Sequence, residues 1–539
     1  MEEKIPKSKF EFQYYLENRN ILNLIHQPCD LNEIKEIIKE FSISKACGPY
    51  SIPTSLLKST YMILAPILVY LINKSLITGK FPNLLKIANV CPIFKKNEIE
   101  KCENYRPISL LSNIGKVFEK VMYNRIWNFL NESDILFEKQ FGFRKNHSTN
   151  HALLSIVEEI RKNLDNKLYT CGVFVDLEKA FDTVNHEILI KKLDHYGIRG
   201  SYNNWLNSYL TNRKQFVSLN DSVSSHMKIT CGVPQGSVLG PLLFLIYIND
   251  MNLAVKDCTV HHFADDTNLL LSGTNLKSLK KAMNKELTSL FEWLCANRLS
   301  LNVDKTEFIV FKPRKYSINK KLNKKFTLKI NQKTIHESNK IKYLGVLLDN
   351  KLSWNIHINE LCKKLSRAVG MLFKMKNLCS TTTLKSIYYS LFHSHMSYGI
   401  PVWGVAKTSL TQKVFLLQKR AMRVVAKADF LAHTNPLFND LNVLKCPDQY
   451  LLSLATLMWD YDHDLIPKTL SSLFNKNPNH SYQTRFVKKG KLNPIAYKTT
   501  EFGTHSFRYE GTKVLNLLKD ELIYTNSKTK KEFITKFKK

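Results

Sequence analysis

Apolar residues recur along the chain in two rhythms. Leu31, Ile34, Ile37, Ile38 and Phe41 repeat at helical spacing behind Asp30, which predicts one amphipathic helix with an N-terminal cap. A Gly48-Pro49 break and Pro53 then lead into residues 56–76, an apolar stretch that predicts a buried helix pair or one helix kinked near Pro66. From Ile87 to about Leu348, short β-branched and aromatic runs alternate with longer helical segments. Residues 169–175, 216–219, 259–264, 267–271 and 307–311 read as strands. This middle part is therefore expected to be mixed α and β. Beyond Leu352 the period is helical to about Val425, and the 109 residues from 431 to 539 read as more irregular, ending rich in lysine. No internal repeat is visible.

Composition changes this picture through charge. The 539 residues are 44% hydrophobic and 23% charged, an ordinary globular balance that excludes a wholly disordered chain. Lys and Arg number 79 against 46 Asp and Glu, a net +33, which favours a polyanionic partner: nucleic acid first, an acidic membrane surface second. The longest apolar stretches, residues 61–72 and 242–248, are shorter than the roughly 18 residues that signal a membrane span. Glu2, Glu3 and Lys4 followed by Lys7 and Lys9 are unlike a secretory leader, so a reducing compartment is expected. The 11 cysteines contain no Cys-x-x-Cys and read as free thiols, neither a disulfide framework nor a zinc knuckle. Residues 312–329 hold eight Lys or Arg and no acid, a solvated connector or a phosphate-facing ribbon.

Three acids stand apart. Asp176 follows the strand at 169–175 directly, ahead of a turn and a helical segment. Asp265 and Asp266 sit some ninety residues later in the tight connection between two strands, at a hairpin tip. If the strands share one sheet, the three carboxylates converge. Three hard oxygen donors with open positions suit Mg2+ when substrate phosphates complete its octahedron. Two such ions, about 3.5 to 4 Å apart, would serve phosphoryl transfer. Taken singly, an Asp-Asp pair reads equally as a solvated turn and Asp176 as a helix N-cap. His261 and His262, just before the pair, read as packing residues.

A series of motifs in fixed order lifts the acids above those readings. Phe174-Val-Asp176-Leu-Glu-Lys-Ala180-Phe181-Asp182 resembles the first catalytic motif of the reverse transcriptases of non-LTR retrotransposons, the jockey-like group in particular. Gly232-Val-Pro-Gln235-Gly236-Ser237 resembles the second, Phe263-Ala-Asp265-Asp266 the third and Leu299-Ser-Leu-Asn302-Val-Asp-Lys305-Thr306 the fourth. Tyr343-Leu344-Gly345 is similar to the primer grip. Upstream, Pro92-Ile-Phe-Lys95-Lys96 and Asn104-Tyr-Arg106-Pro107-Ile-Ser109 are similar to the fingers, and Gln140-Phe-Gly-Phe-Arg144 follows in the family's order. The resemblance spans about residues 45–430. It extends more weakly to His480-Ser-Tyr-Gln-Thr484-Arg485.

The resemblance implies roles residue by residue. Asp176 and Asp265 would be the principal metal ligands and Asp266 a second-rank partner, because neighbours in extended chain point to opposite faces. Phe181 would be the steric gate under the incoming sugar; a core aromatic is the compatible alternative. Gln235, with Gly236, would contact nucleotide or template, and Arg106 beside Lys95 would clamp the triphosphate, Arg106 with its planar fork. Lys305 would be the general acid for the pyrophosphate leaving group, with a solvated lysine as the other reading. Lys419, Arg420 and Arg423 surround the apolar face of a helix over 414–425 that is similar to the family's thumb helix along the duplex; a solvated basic face is the alternative.

The implied protein has an α+β right-hand polymerase fold: an N-terminal helical extension (1–48), fingers and palm (49–349), a helical thumb (350–430) and a basic C-terminal region (431–539). It would add dNTPs to the 3′-hydroxyl of a DNA primer or target DNA on an RNA template, with two Mg2+ ions or Mn2+ in their place, in nucleus and cytoplasm and without a membrane. Tyr50-Ser51 stands where the family usually has Asp-Gly, so that early turn departs from the pattern. About 48 residues precede the matched region, too few for the endonuclease such elements carry, so a truncated or separately encoded polymerase is expected. The tail has no ribonuclease H pattern of spaced acids. The competing readings are a non-catalytic nucleic-acid-binding relic of such an element and a group II intron-type maturase.

Overall fold

The computed structural model describes residues 5–44, 46–50, 52–95, 98–219, 222–313, 326–474, 491–493, 495–521, 524 and 527–538. Its strands are β1 (Ile87–Phe94), β2 (Tyr105–Leu110), β3 (Tyr169–Val175), β4 (Lys214–Leu219), β5 (Ser222–Val223), β6 (Met227–Lys228), β7 (Thr259–Phe263), β8 (Asp266–Gly273), β9 (Glu307–Phe311), β10 (Leu328–Ile330), β11 (Lys333–Glu337), β12 (Lys340–Tyr343) and β13 (Val346–Asp349). Ten helices precede or flank them: α1 (Leu31–Glu40), α2 (Thr54–Ser59), α3 (Tyr61–Thr78), α4 (Asn113–Glu132), α5 (Thr149–Asp165), α6 (His186–His195), α7 (Gly200–Leu210), α8 (Leu239–Ile248), α9 (Leu276–Ala296) and α10 (Asn355–Met375). Further helices follow to Phe537.

The strands form three sheets. One runs β2-β1-β4-β5 with β6 on β4, one runs β10-β11-β9-β3-β8-β7, and β12-β13 is a hairpin. Side chains alternate across a strand, so a sheet covered on both faces feeds two cores. The six-stranded sheet does this. Cys171, Val173, Val175, Leu269, Leu271, Phe308 and Val310 enter a core shared with α4 and α6–α9. Leu270, Ile309 and Phe311 enter a second core built on α5 and the helices after Asn355.

The second core runs to the end of the chain. Helix Cys446–Asp462 and helix Phe507–Leu518 pack in it, and Phe533 is fully buried there. Acids of α5 hold this tail by its backbone. Glu158 accepts from Phe507 N at 2.6 Å and Arg508 N at 3.3 Å, and Asp165 accepts from Thr499 N at 2.7 Å and Lys498 N at 3.1 Å. At the other end, residues 5–30 form a strap. Arg19 pairs with Asp194, Leu24 N donates to Gly197 O, and Arg125 of α4 donates to Gln27 O at 3.1 Å and Pro28 O at 2.9 Å.

Several expectations meet the structure differently. The helix after Asp30 is where its pattern puts it, with Asp30 Oδ1 accepting from Glu33 N at 2.8 Å. Residues 56–76 are two helices, α2 and α3, but α3 is not buried all round. Ala65, Leu68, Ile72, Ser75 and Leu76 form its packed stripe against α1 and α7, while Met62, Ile63 and Tyr70 lie open to solvent. An apolar sequence specifies what can be buried, not whether a neighbour arrives to cover it. By length and composition alone, α3 is also long and apolar enough to cross a membrane, which the shorter apolar stretch in the sequence had not suggested. The C-terminal region is more helical than its weak periodicity predicts, because its helices draw their order from packing in the second core. Lys96, Ser51, residues 480–485 and most of the basic ribbon (314–325) lie outside the described residues.

Candidate active site

The register of the large sheet brings the three acids together. β3 and β8 pair antiparallel with Val175 opposite Thr267, so one residue further along Asp176 comes level with Asp266. β7 and β8 pair with Phe263 opposite Asp266, leaving Ala264 and Asp265 as a two-residue turn. Asp266 thus opens β8 instead of sharing the turn, a shift of one residue from the sequence expectation. Asp265 and Asp266 both keep exposed surface. Burial and then the Asp176 charge hold Asp265 above the usual carboxylate range, against the Arg106 and Lys95 charges that pull it down. Burial, Asp265 and Asp176 push Asp266 up to about 6. Lys305 Nζ stands 3.6 Å from Asp176 Oδ2.

The turn is strained and clamped. Ala264 has φ +57°, a left-handed conformation that a residue with a side chain adopts rarely. Buried Gln140 answers it: its Oε1 accepts from Ala264 N at 3.1 Å and from Gly142 N at 2.9 Å. Phe141 N donates to His262 O and His262 N to Lys139 O, both at 2.9 Å, which lays residues 139–141 along β7. A Cβ on Gly142 would stand 2.4 Å from Ala264 N, so only glycine fits this approach. His261 and His262 are buried, in keeping with their reading as packing residues.

Asp176 is held from the other side. Its backbone N–H donates to Thr306 Oγ1 at 3.3 Å, that hydroxyl donates to Asn302 O at 2.8 Å, and Asn302 N donates to Asp176 O at 2.9 Å. Thr306 is fully buried. The segment 299–306 is thereby stitched to the end of β3.

Phe181 and Gln235 share a second wall. The Phe181 ring stacks on buried Phe244 with centroids 4.5 Å apart and meets Phe143 edge-on at 6.1 Å. Val233 N donates to Phe181 O at 2.8 Å, and Gln235 Nε2 donates to Asp182 Oδ1 at 2.9 Å. Burial raises the Asp182 carboxyl above its ordinary range. Ser109 N donates to Gln235 O at 2.7 Å, and Gly236, at φ +124°, has room for no Cβ because Ser109 O would lie 2.5 Å away. Glu119 anchors the loop's far end by accepting from Val238 N at 2.6 Å.

The hairpin at Tyr343-Leu344-Gly345 and the basic helix are separate features. Tyr343 is buried with its ring edge-on to Phe174 at 5.8 Å, so it presents no side chain to solvent; at the turn, Leu344 is half-buried against the second core and Gly345 is exposed. Tyr398 OH donates to Leu344 O at 2.6 Å and ties that turn to the helical part. In the helix Thr408–Val425, Val414, Gln418, Ala421, Met422, Val424 and Val425 are buried. Lys419, Arg420 and Arg423 lie on the opposite side. Lys419 sits over Phe415 at 4.6 Å, Arg423 Nε donates to Ala432 O at 2.9 Å, and Arg420 is exposed.

Sequence reading missed the residues that hold this site: Gln140, Asp182, Thr306 and Glu119. Three of them lie inside motifs that were singled out, which is the only signal they give. No group of three or more His, Cys, Asp or Glu among the described residues forms a ready ion cage. The acids form an open, like-charged set of hard oxygens, each crowding the others, and that donor chemistry fits a divalent cation whose remaining positions a substrate fills.

Residues 93–348 match the family described as "Reverse transcriptase (RNA-dependent DNA polymerase)". The chain is 30% identical to "Probable RNA-directed DNA polymerase from transposon BS" of Drosophila melanogaster, over 79% of this chain and 48% of that protein. It is 28% identical to "RNA-directed DNA polymerase from mobile element jockey" of the same organism, over 81% of this chain and 48% of that protein. It is 24% identical to "Retrovirus-related Pol polyprotein from type-1 retrotransposable element R1" of Bradysia coprophila, over 74% and 39%. The chain spans about half the length of the first two relatives. With Asp176, Asp265 and Asp266 lying inside the matched segment, residues 93–348 belong to the reverse transcriptase family, within a chain related to the polymerases of jockey-like mobile elements.

Proposed function

We propose that this chain is an RNA-directed DNA polymerase of a non-LTR retrotransposon, adding dNTPs to a primer 3′-hydroxyl on an RNA template. The observation that carries the reading is the convergence of Asp176, Asp265 and Asp266 at one end of the β3-β8-β7 ribbon, with the Arg106 and Lys95 charges acting on Asp265. In this reading β1, β2 and β4–β6 with their helices are the fingers, and the six-stranded sheet is the palm. The helices from Asn355 to Val425 are the thumb, and residues 431–539 are a basic region whose described residues include ones bonded to α5.

The chemistry joins the primer 3′-oxygen, whose proton passes to solvent, to the α-phosphorus of the dNTP and breaks the bond to the β-phosphate, releasing pyrophosphate. A divalent pair, Mg2+ or Mn2+, would be held by Asp176 and Asp265 with Asp266 beside them, lowering the barrier to both oxygens' exchange. Arg106 and Lys95 bind the triphosphate from the fingers side, Arg106 by its paired N–H donors. Lys305, at the rim beside Asp176, donates the proton that the leaving pyrophosphate takes up. Phe181, braced on Phe244, gives the sugar a flat stop that a 2′-hydroxyl would strike. Asp182 orients Gln235 so that its amide meets the base pair at a fixed angle. The Leu344-Gly345 tip steadies the primer end, and Lys419, Arg420 and Arg423 meet duplex phosphates.

Primer extension on a generic RNA template tests the reading. Asp265→Asn keeps the shape but supplies no anionic oxygen, so extension should vanish while duplex affinity stays within a few fold. Near-normal turnover in that variant would sink the assignment. A wild-type chain that binds template-primer yet never extends it would point to the non-catalytic relic.

A further inference from the structure

Phe143 is an aromatic ring without a core. It is 53% exposed, and its φ of +56° is a conformation that bulky residues almost never take. Such a backbone persists only where its surroundings dictate it, and both flanks do so here. On one side Gly142 is pressed against Ala264 and bonded to Gln140 Oε1. On the other, Arg144 Nη1 donates to Phe137 O at 2.8 Å. The ring's one aromatic neighbour among the described residues is Phe181, met edge-on with an interplanar angle of 87°.

Phe181 is therefore fixed at two places, stacked on Phe244 and in perpendicular contact with Phe143. Phe244 is completely buried and cannot move without disturbing the core. Phe143 is the adjustable support. We propose that Phe143 is a positioning residue that sets the resting place of the Phe181 ring, and with it the discrimination between deoxyribo- and ribonucleotides. This inference rests on the polymerase reading and on Phe181 as the sugar stop. The segment 140–143 then serves two parts of the site at once: Gln140 and Gly142 hold the Asp265 turn, and Phe143 holds the gate.

The test is a double-mutant cycle on kcat/KM for a dNTP against the matching rNTP. Phe143→Gly removes the ring at a backbone angle that glycine takes without strain, so the variant should fold. An edge-to-face pair is strong enough that its loss should lower discrimination by about two- to tenfold. Phe143→Tyr keeps the edge contact and should restore it. Phe181→Val should abolish most discrimination, and adding Phe143→Gly to it should change nothing further. Wild-type discrimination in Phe143→Gly, or equal effects of that change with and without the Phe181 ring, would overturn the inference while leaving extension by the wild-type chain to judge the polymerase reading separately.

Discussion

Replacing Gln140 by methionine is the perturbation that bears most directly on how the site is held. The change preserves side-chain length and removes the amide, and with it the accepting oxygen. That oxygen takes two buried N–H groups, from Ala264 at 3.1 Å and Gly142 at 2.9 Å. Each orphaned buried donor costs about 1–3 kcal/mol, so the pair sets a range of roughly 2–6 kcal/mol, of which water entering the turn recovers part. A loss of about 2–4 kcal/mol is expected in urea unfolding. The kinetic effect should be the larger one. Ala264 holds φ +57° next to Asp265, and without its clamp the turn relaxes and carries the carboxylate away from Asp176. A displacement near 1 Å in a reacting constellation costs on the order of a hundredfold, so kcat for primer extension should drop about that much with duplex Kd within a few fold. Gln140→Glu keeps an acceptor oxygen and should recover most of the stability. Wild-type kcat in the methionine variant, at whatever stability, would refute this account of the turn.

Two further outcomes follow from features of the helical part. Changing Lys419, Arg420 and Arg423 together to Gln should flatten the dependence of log affinity on log salt by about one to three units, each phosphate contact contributing roughly 0.9 on B-form DNA, and lower processivity while single-nucleotide addition survives. Equal slopes for variant and wild type would return this face to solvent. Asp165→Ala should strand the donors of Lys498 and Thr499 and leave Arg508, 3.8 Å away, without its acid. The expected loss is about 3–5 kcal/mol, seen as faster proteolysis after Lys498; an unchanged digestion rate would contradict the docking role of that carboxylate.

What the sequence made legible was local. The strand at 169–175, the hairpin carrying Asp265 and Asp266 and the capped helix after Asp30 announce themselves by period and by turn chemistry, and each stands within a residue or two of its expected place. The supports of the site were not legible. Gln140 reaches Ala264 across 124 residues and Thr306 reaches Asp176 across 130, and no periodicity records a hydrogen bond between distant segments. The exposure of α3 was hidden for a related reason: Met62 and Ile63 look like core until the packing partners are known to meet only the opposite side. Tyr343 shows the reverse case, a motif residue whose side chain lies in the core while Gly345 in the turn beside it is exposed.

The bond from Phe507 N to Glu158 spans 349 residues, and it carries a cost in time. Chains grow at about 5–20 residues per second, so the carboxylates of α5 and the apolar face beside them wait on the order of twenty seconds to a minute for the tail that covers them. Contacts of such separation also close slowly once the chain is free. During that interval the six-stranded sheet carries one finished core and one open one, an invitation to chaperones and proteases. A chain halted before about residue 500 never closes the second core, so truncation there is expected to yield unstable protein even with Asp176, Asp265 and Asp266 intact.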